Sequence, residues 1–309
     1  MPTRIHAMSV TPFDASGALD EDALAAHVGV LADAGIGVFL GSYGSGEGKL
    51  LRRDEVRRLY EVGVAACGGR VPVVAAALGL SSTEEVIERA REARALGVDA
   101  VQIHPPLGGP PSIAPREREI DAYYERVLGA LDFPLVVSNE VLMVGYALAP
   151  ERVARLVAAH DHVVGLNWTD PDAASLVRLF QELAREGSSV PVRVGLTAQL
   201  PLALLLGAEG LVSFEPNVAP ALCAEVGRAW DAGDLAAFGA RFRVLMAWNV
   251  ALGRAMTPRS VKAVLARRGE QGTALRAPYE ALDAEALRAL EEELAPLVAP
   301  SARAAGIPA

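Results

Sequence analysis

Short apolar runs alternate with longer amphipathic segments along most of the chain. The runs have the length and composition of β-strands, and they fall at residues 5–10, 37–41, 72–77, 99–103, 134–138, 163–167, 191–194 and 210–213. The segments between them repeat apolar residues at helical spacing, at residues 21–35, 53–66, 83–96, 117–131, 149–159 and 171–186. The pattern therefore predicts eight successive β-then-α units.

The composition of these strands favours a parallel sheet that is covered on both faces. The run Val71-Pro72-Val73-Val74-Ala75 is apolar throughout instead of alternating, as expected of a strand that is buried on both sides. Eight such units form either a closed (β/α)8 barrel, known as a TIM barrel, or a long doubly wound sheet. No G-x-G-x-x-G motif follows the first strand, which argues against a dinucleotide-binding sheet.

The chain after residue 217 is almost entirely helical in pattern. Helices are predicted at residues 217–232, 234–253, 258–268 and 283–296. Because this stretch is too long for one closing helix, we predict a helical layer packed on the barrel. The predicted organisation is an α/β fold with a (β/α)8 barrel over residues 1–222, a C-terminal helical extension over residues 223–299 and a frayed tail over residues 300–309.

The composition excludes several classes of partner. The chain has 309 residues and a formal net charge of −9, whereas binding to nucleic acid or an anionic membrane needs a basic face. No apolar run approaches the roughly 20 residues of a spanning helix, and the amino terminus lacks the apolar stretch of a secretion signal. Cys67 and Cys223 are predicted to be core residues in a reducing compartment. We therefore expect a cytoplasmic protein with no nucleic-acid or membrane partner.

Several motifs, in the same order, resemble the dihydrodipicolinate synthase and N-acetylneuraminate lyase superfamily. They include Thr11-Pro12-Phe13 after the first strand, residues 77–85 after the third, His104-Pro105-Pro106 after the fourth, residues 163–166 in the sixth and residues 260–265 in the helical tail. The resemblance covers nearly the whole chain. It implies a site at the carboxyl-terminal mouth of the barrel, a small-molecule substrate and a homo-oligomer, either a dimer or a tetramer.

The resemblance also implies catalytic residues that this chain replaces. Members with the usual equipment have a lysine that forms a Schiff base with a 2-oxo acid, a tyrosine that relays protons and a G-T-T or G-S-T turn that binds the substrate carboxylate. The lysine position aligns with Asn167, the tyrosine position with Ser138, and the arginine that follows in many members with Met143. An amide nitrogen is neither basic nor nucleophilic, so Asn167 cannot form an imine.

Neither lysine of the chain is expected to replace the missing amine. Lys262 lies in the helical tail, where we expect a structural or surface role, and Lys49 follows the second strand, where we expect it at the rim. We also predict that the protein uses no cofactor and no metal, because no spaced ligand motif joins His104, Glu140 and Glu215.

Three residues are the candidate catalytic groups. Glu140 shares the inner face of the fifth strand with Ser138, and an apolar surrounding would raise its pKa and suit it to act as acid or base. His104, at the end of the fourth strand, is the second proton carrier. Tyr43, in the glycine-rich turn after the second strand, is a candidate for the missing phenol. Each also has a structural interpretation: a rim ion pair for Glu140, a structural hydrogen bond for His104 and a subunit contact for Tyr43.

A second group of residues is expected to hold the substrate: Asn167, Ser138, Ser45, Gly44, Trp168, Asn139 and Gly195. Ser45 and the backbone N–H groups beside it are expected to form an anion-binding turn. Trp168 either forms a wall of the pocket or packs behind its strand.

Two functions fit these residues. The first is a lyase that acts on a small polar substrate, such as a carboxylate or 2-oxo acid, by acid–base chemistry without a Schiff base. The second is a non-catalytic descendant that binds a small molecule or a partner subunit. Because an abandoned site tends to fill with apolar residues and these positions remain polar, we favour the enzyme.

Overall fold

The computed structural model describes residues 3–78, 82–106 and 115–298. Its eight strands pair in sequence order around a closed barrel. The strands are Ile5–Met8 (β1), Gly37–Leu40 (β2), Val73–Ala76 (β3), Ala100–Ile103 (β4), Leu135–Glu140 (β5), Val163–Thr169 (β6), Val192–Val194 (β7) and Gly210–Ser213 (β8). The pairs run parallel, with registers such as His6 opposite Gly37 and Val101 opposite Leu135. The predicted (β/α)8 barrel is confirmed.

Helices separate the strands and then continue beyond the last of them. They are Glu21–Asp33 (α1), Arg53–Cys67 (α2), Thr83–Ala95 (α3), Glu117–Gly129 (α4), Val141–Val144 (α5), Pro150–Ala158 (α6), Ala173–Arg185 (α7), Leu200–Leu205 (α8), Pro220–Asp231 (α9), Leu235–Arg254 (α10), Arg259–Arg267 (α11) and Ala284–Val298 (α12). The predicted helices agree with these to within a few residues at each end. The short helices α5 and α8 are not predicted by the sequence pattern.

Local sequence explains where several helices begin. The side chain of Ser82 caps α3 by accepting a hydrogen bond from the backbone N–H of Glu85, as its Ser-Thr-Glu-Glu sequence predicts. Helix α6 begins with Pro150, at a position where the missing N–H costs no helical hydrogen bond. Asp20 caps α1 in the same way as Ser82 caps α3, through the N–H of Ala23.

The density of contacts divides the chain into two compact units. The first unit combines the chain up to Val73 with the chain from Ser213 onward, and it contains β1, β2, α1, α2 and α9 to α12. The second unit, Val74–Val212, contains β4 to β7, α3 to α8 and most of β3 and β8. The domain limits proposed from the sequence remain a prediction. Residues 79–81, which belong to the family motif after the third strand, and the tail at residues 300–309 lie outside the described residues.

Helix α10 is the one helix in the described part of the chain that is long and apolar enough to cross a membrane by length and composition. Such a segment is not predicted by the sequence, in which no apolar run approaches the length of a spanning helix. The helix contacts α9, α11 and α12 of the first unit, and it buries Phe238, Leu245, Trp248 and Leu252. These contacts account for the buried part of its apolar surface, which is 28% of the apolar window.

Candidate active site

Polar side chains line one face of three neighbouring strands near their carboxyl ends. Side chains alternate between the two faces of a strand, so residues two apart point the same way. On this face lie Gln102 and His104 at the end of β4, Ser138 and Glu140 on β5, and Asn167 and Thr169 on β6. The register places Ser138 opposite Asn167 and Glu140 opposite Thr169, which brings these residues of the second unit together.

A continuous chain of hydrogen bonds joins five of these side chains. The Thr169 hydroxyl donates to Asn167 Oδ1 over 3.4 Å, and Asn167 Nδ2 donates to Gln102 Oε1 over 3.2 Å. Gln102 Nε2 lies 2.9 Å from Glu140 Oε1 and 3.1 Å from His104 Nε2. Asn167 is therefore connected, through the buried amide of Gln102, to both candidate proton carriers.

Glu140 and His104 form a pair in which Glu140 Oε1 lies 3.5 Å from His104 Nε2. The His104 side chain is 1% exposed and that of Glu140 is 20% exposed. Burial raises the pKa of Glu140, but its contacts with His104, Ser138 and Gln102 outweigh this effect, so the pKa lies below its ordinary value. The expectation of a raised pKa is wrong, because polar neighbours rather than apolar ones surround the carboxylate.

Two tyrosines hold the backbone that follows β4. The Tyr123 hydroxyl donates to the carbonyl of His104 over 2.9 Å, and the Tyr146 hydroxyl donates to the carbonyl of Pro106 over 2.6 Å. Burial raises the pKa of Tyr146 above its ordinary value, so it remains a phenol at neutral pH. Tyr146 was not singled out by the sequence analysis, although it follows Glu140 closely in the chain.

Gly195, which follows β7, makes room for Thr169. A Cβ atom built on Gly195 would lie 1.9 Å from the Thr169 hydroxyl oxygen, far inside van der Waals contact. Packing against Thr169 therefore accounts for a glycine at this position, in addition to the substrate contact predicted for it. Its backbone N–H donates to the carbonyl of Trp168.

Asn139 and Trp168 point to the opposite face of the sheet from the polar cluster. They alternate along β5 and β6 with the polar residues described above, and they lie opposite one another in the register. Asn139 Oδ1 accepts a hydrogen bond from the backbone N–H of Leu148, and Trp168 is fully buried. Of the two interpretations of Trp168, packing behind its strand agrees with this position.

The glycine-rich turn after β2 belongs to the first unit. The Ser45 hydroxyl lies 3.4 Å from the Thr257 hydroxyl, and the backbone N–H of Gly46 donates to the Ser42 hydroxyl. Gly44 is exposed and Tyr43 is half-buried. Tyr43, Gly44 and Ser45 remain predicted site residues, and the contacts described for the polar cluster do not include them.

Comparison with known proteins places the chain in a family. The model of the "Dihydrodipicolinate synthetase family" matches residues 1–296. The chain belongs to this family. An uncharacterised DapA-like lyase of Halobacterium salinarum is 33% identical over 294 residues, which cover 93% of this chain and 91% of that protein. The 4-hydroxy-tetrahydrodipicolinate synthase of Brucella suis is 32% identical, over 89% of this chain and 91% of that protein.

Solved structures of the dihydrodipicolinate synthetase family have the same fold. Dihydrodipicolinate synthase from Thermotoga maritima superposes with a TM-score of 0.88 at 25% identity, over 95% of this chain and 98% of that one. YagE from E. coli K12, a family member solved in complex with pyruvate, gives a TM-score of 0.86 at 25% identity, over 94% of this chain and 97% of that one.

The two lysines of this dihydrodipicolinate synthetase family member both lie in the first unit, and both amines are engaged. Lys262 is 2% exposed, lies 2.5 Å from Glu47 Oε2 and donates to the carbonyl of Ala274 over 2.8 Å. Burial lowers the pKa of Lys262 and raises that of Glu47, and in each case the partner's charge opposes the shift. Lys262 thus has the structural role expected of it. Lys49 is exposed, with its amine 4.8 Å from the centre of the Tyr279 ring.

Other candidate ligands do not form a metal site in the described parts of this family member. Among residues 3–78, 82–106 and 115–298, no group of three His, Cys, Asp or Glu side chains is arranged to hold a metal ion. A His-x-His sequence at His160 and His162, which the sequence analysis passed over, contributes two rings in edge-to-face contact at 5.4 Å. Glu215, considered as a third ligand, accepts a hydrogen bond from Asn249 Nδ2 inside the first unit.

Proposed function

We propose that this protein is a lyase that acts on a small polar carboxylate or 2-oxo acid by proton transfer through Glu140 and His104, without a Schiff base. The observation that carries the proposal is the pair of half-buried Glu140 and buried His104, which hydrogen bonds connect through Gln102 to Asn167. Support for a lyase comes from relatives, since one protein that is 33% identical over most of its length is named a DapA-like lyase.

Proton transfer is the chemistry for which this cluster is suited. Because its pKa is lowered, Glu140 is ionised at neutral pH and can accept a proton, and His104 can share that proton across 3.5 Å. Asn167 Nδ2 carries two hydrogens, of which one is donated to Gln102. The other can be donated to a carbonyl or carboxylate oxygen of the substrate, where it would stabilise developing negative charge.

The absence of a Schiff base is inferred from the chain's own amines. Iminium formation needs a primary amine that can attack a carbonyl, and Asn167 offers an amide instead. A lowered pKa is one property of Schiff-base lysines, and Lys262 has it. However, the amine of Lys262 is already occupied by Glu47, Ala274 and the face of the Phe13 ring.

The test of the proposed function is the variant Glu140→Gln. The wild type is screened for turnover of a panel of 2-oxo acids and their hydroxylated derivatives, with products detected by NMR. We expect Glu140→Gln to lower kcat on the substrate so found by about 10²- to 10⁴-fold, the usual contribution of a general acid or base. Because the pKa of Glu140 is lowered, the wild-type rate should persist as the pH falls toward its ordinary value of 4.5.

The matched control is Glu186→Gln, which removes an exposed carboxylate of the same unit and should leave the rate unchanged. Unchanged turnover in Glu140→Gln would remove Glu140 from the mechanism. Tight binding of a panel compound with no turnover by the wild type would support the non-catalytic alternative instead.

We also propose that the protein is a homo-oligomer. Several large apolar side chains on its surface are more than half exposed, namely Val30, Leu142, Leu205, Leu235 and Met256. Because such side chains also occur singly on monomeric proteins, the proposal rests on the family resemblance, which implies a dimer or a tetramer. Light scattering of the protein as it elutes from a size-exclusion column should give the mass of a dimer or tetramer. A mass of 32.4 kDa, that of a single chain, would contradict the proposal.

A further inference from the structure

Gln102 is a buried amide in an otherwise apolar strand. It lies in the sequence Ala-Val-Gln-Ile of β4 and is 2% exposed. Burying an amide is unfavourable unless its donors and acceptor are hydrogen-bonded. Here each of them has a partner: the oxygen contacts Asn167, and the nitrogen contacts Glu140 and His104.

The direction of this hydrogen-bond chain is fixed at one end by Glu140. An ionised carboxylate can only accept, so the group of Gln102 that faces it must be the NH₂. The Gln102 oxygen then faces Asn167 and requires a donor there, which turns the Asn167 oxygen toward Thr169. Thr169 completes the chain by donating its hydroxyl hydrogen. The charge on Glu140 therefore orients both amides.

The direction of the Gln102–His104 hydrogen bond likewise determines which nitrogen of His104 carries the proton. Gln102 Nε2 is only a donor, so His104 Nε2, at 3.1 Å from it, must accept. A neutral His104 then carries its proton on Nδ1. Protonation of Nε2 would place two donors face to face and would displace the Gln102 amide.

We propose that Gln102 is a positioning residue that holds neutral His104 in the Nδ1–H form, with the basic Nε2 directed at the Gln102 amide beside Glu140, and that it lowers the proton affinity of the pair. Its significance for catalysis rests on the proposed function, whereas the tautomer and the proton affinity can be measured without any substrate. Replacing Gln102 by an apolar residue would leave two acceptors 3.5 Å apart, and a proton shared between them would relieve their repulsion.

Three tyrosines and one arginine also lie near the pair. In the described residues, the titratable groups that contact the backbone after β4 or influence Glu140 and its neighbours are Tyr123, Tyr124, Tyr146 and Arg152. Burial raises the pKa of Tyr124 and of Tyr146, and Arg152 is paired with Asp121 at 2.5 Å. Gln102 differs from these groups because its amide contacts both Glu140 Oε1 and His104 Nε2, so a substitution of Gln102 acts on both members of the pair.

The experiment is NMR of protein labelled with ¹⁵N-histidine, titrated with pH. The chain has five histidines, and the variant His104→Asn assigns the signal of His104. In the wild type we expect neutral His104 to show the Nδ1–H pattern. In Gln102→Met, which keeps the volume and removes the donor, the titration midpoint of His104 should rise by at least about one pH unit, a tenfold gain in proton affinity.

Gln102→Glu provides a second variant, because a carboxylate at this position accepts instead of donating and should raise the midpoint further. Gln199→Met is the control, since it removes another buried amide of the same unit, which donates to the carbonyl of Asp170, and it should leave the His104 signal unchanged. An Nε2–H pattern in the wild type, or an unchanged midpoint in both Gln102 variants, would overturn the inference. Neither outcome depends on the turnover that tests the proposed function.

Discussion

At the scale of single residues, the site depends on which polar groups face the same side of three strands. The lowered pKa of Glu140 shows the effect of such neighbours, because its contacts with His104, Ser138 and Gln102 outweigh the burial of the carboxylate. Gly195 has an equally local effect, since its missing side chain leaves the space in which the Thr169 hydroxyl lies. The hydrogen bond from Thr169 to Asn167 therefore depends on a glycine one strand away.

The variant Gly195→Ala tests this packing. The added Cβ would overlap the Thr169 hydroxyl, so we expect unfolding in urea to show a loss of about 1–3 kcal/mol in the free energy of unfolding, as is usual for overpacking. Thr169→Ala in the same background removes the overlapping atoms and should recover most of the loss. If the effects of the two substitutions on the free energy of unfolding simply added, Gly195 would not be needed to make room for Thr169.

At the scale of the elements, a buried ion pair ties α11 to the turn after β2 in the first unit. Lys262 and Glu47 have side chains that are 2% and 3% exposed, and they meet at 2.5 Å. Removing one partner of a buried pair leaves the other charged and without compensation in a low-dielectric surrounding. The amine of Lys262 therefore compensates the buried carboxylate of Glu47, and this structural role accounts for the lysine without any part in catalysis.

Lys262→Met should therefore lower the free energy of unfolding by about 3–5 kcal/mol, the usual cost of leaving one partner of a buried pair uncompensated. The double variant Lys262→Met with Glu47→Gln should regain much of this, because no buried charge remains. Arg254→Met is the matched control: its pair with Glu293 is largely exposed, so the change should cost no more than about 1 kcal/mol. Denaturant unfolding of the wild type and the three variants checks this order of their free energies of unfolding. A double variant as unstable as Lys262→Met would contradict the account.

Much of the fold could be predicted from the sequence because strands and helices of ordinary length carry a periodic pattern. Helices α5 and α8 were missed because, with four and six residues, they are too short to show one. Strands β5 and β6 extend further than predicted, to Glu140 and Thr169, because their pairing continues through these polar residues. That pairing depends on the neighbouring strand, which a single stretch of sequence does not reveal.

The site was predictable in part, for the same reason. Glu140, His104 and Asn167 stood out because they follow apolar strands and because of the family motifs. Gln102 and Thr169 were missed, although a polar residue within an apolar strand such as β4 is itself a signal, since burying it requires partners. What the sequence could not supply was the identity of those partners, which lie on three different strands.

At the scale of the whole molecule, the chain combines a family barrel with only two lysines, and the proposed function gives neither of them a part in imine formation. The family match extends over residues 1–296, so the scaffold is retained from one end to the other. The chain has only two lysines, and both have contacts that account for them. Under the proposed function, negative charge on the substrate would be stabilised by hydrogen bonds and proton transfer instead of by an iminium.

The most direct measurement is reductive trapping followed by mass spectrometry of the intact protein. The wild type is incubated with pyruvate and sodium borohydride, beside a family member that carries the Schiff-base lysine as a positive control. We expect the control to gain the mass of a reduced pyruvate adduct and this protein to keep its own mass. A stable adduct that peptide mapping assigns to Lys49 or Lys262 would contradict the proposed mechanism.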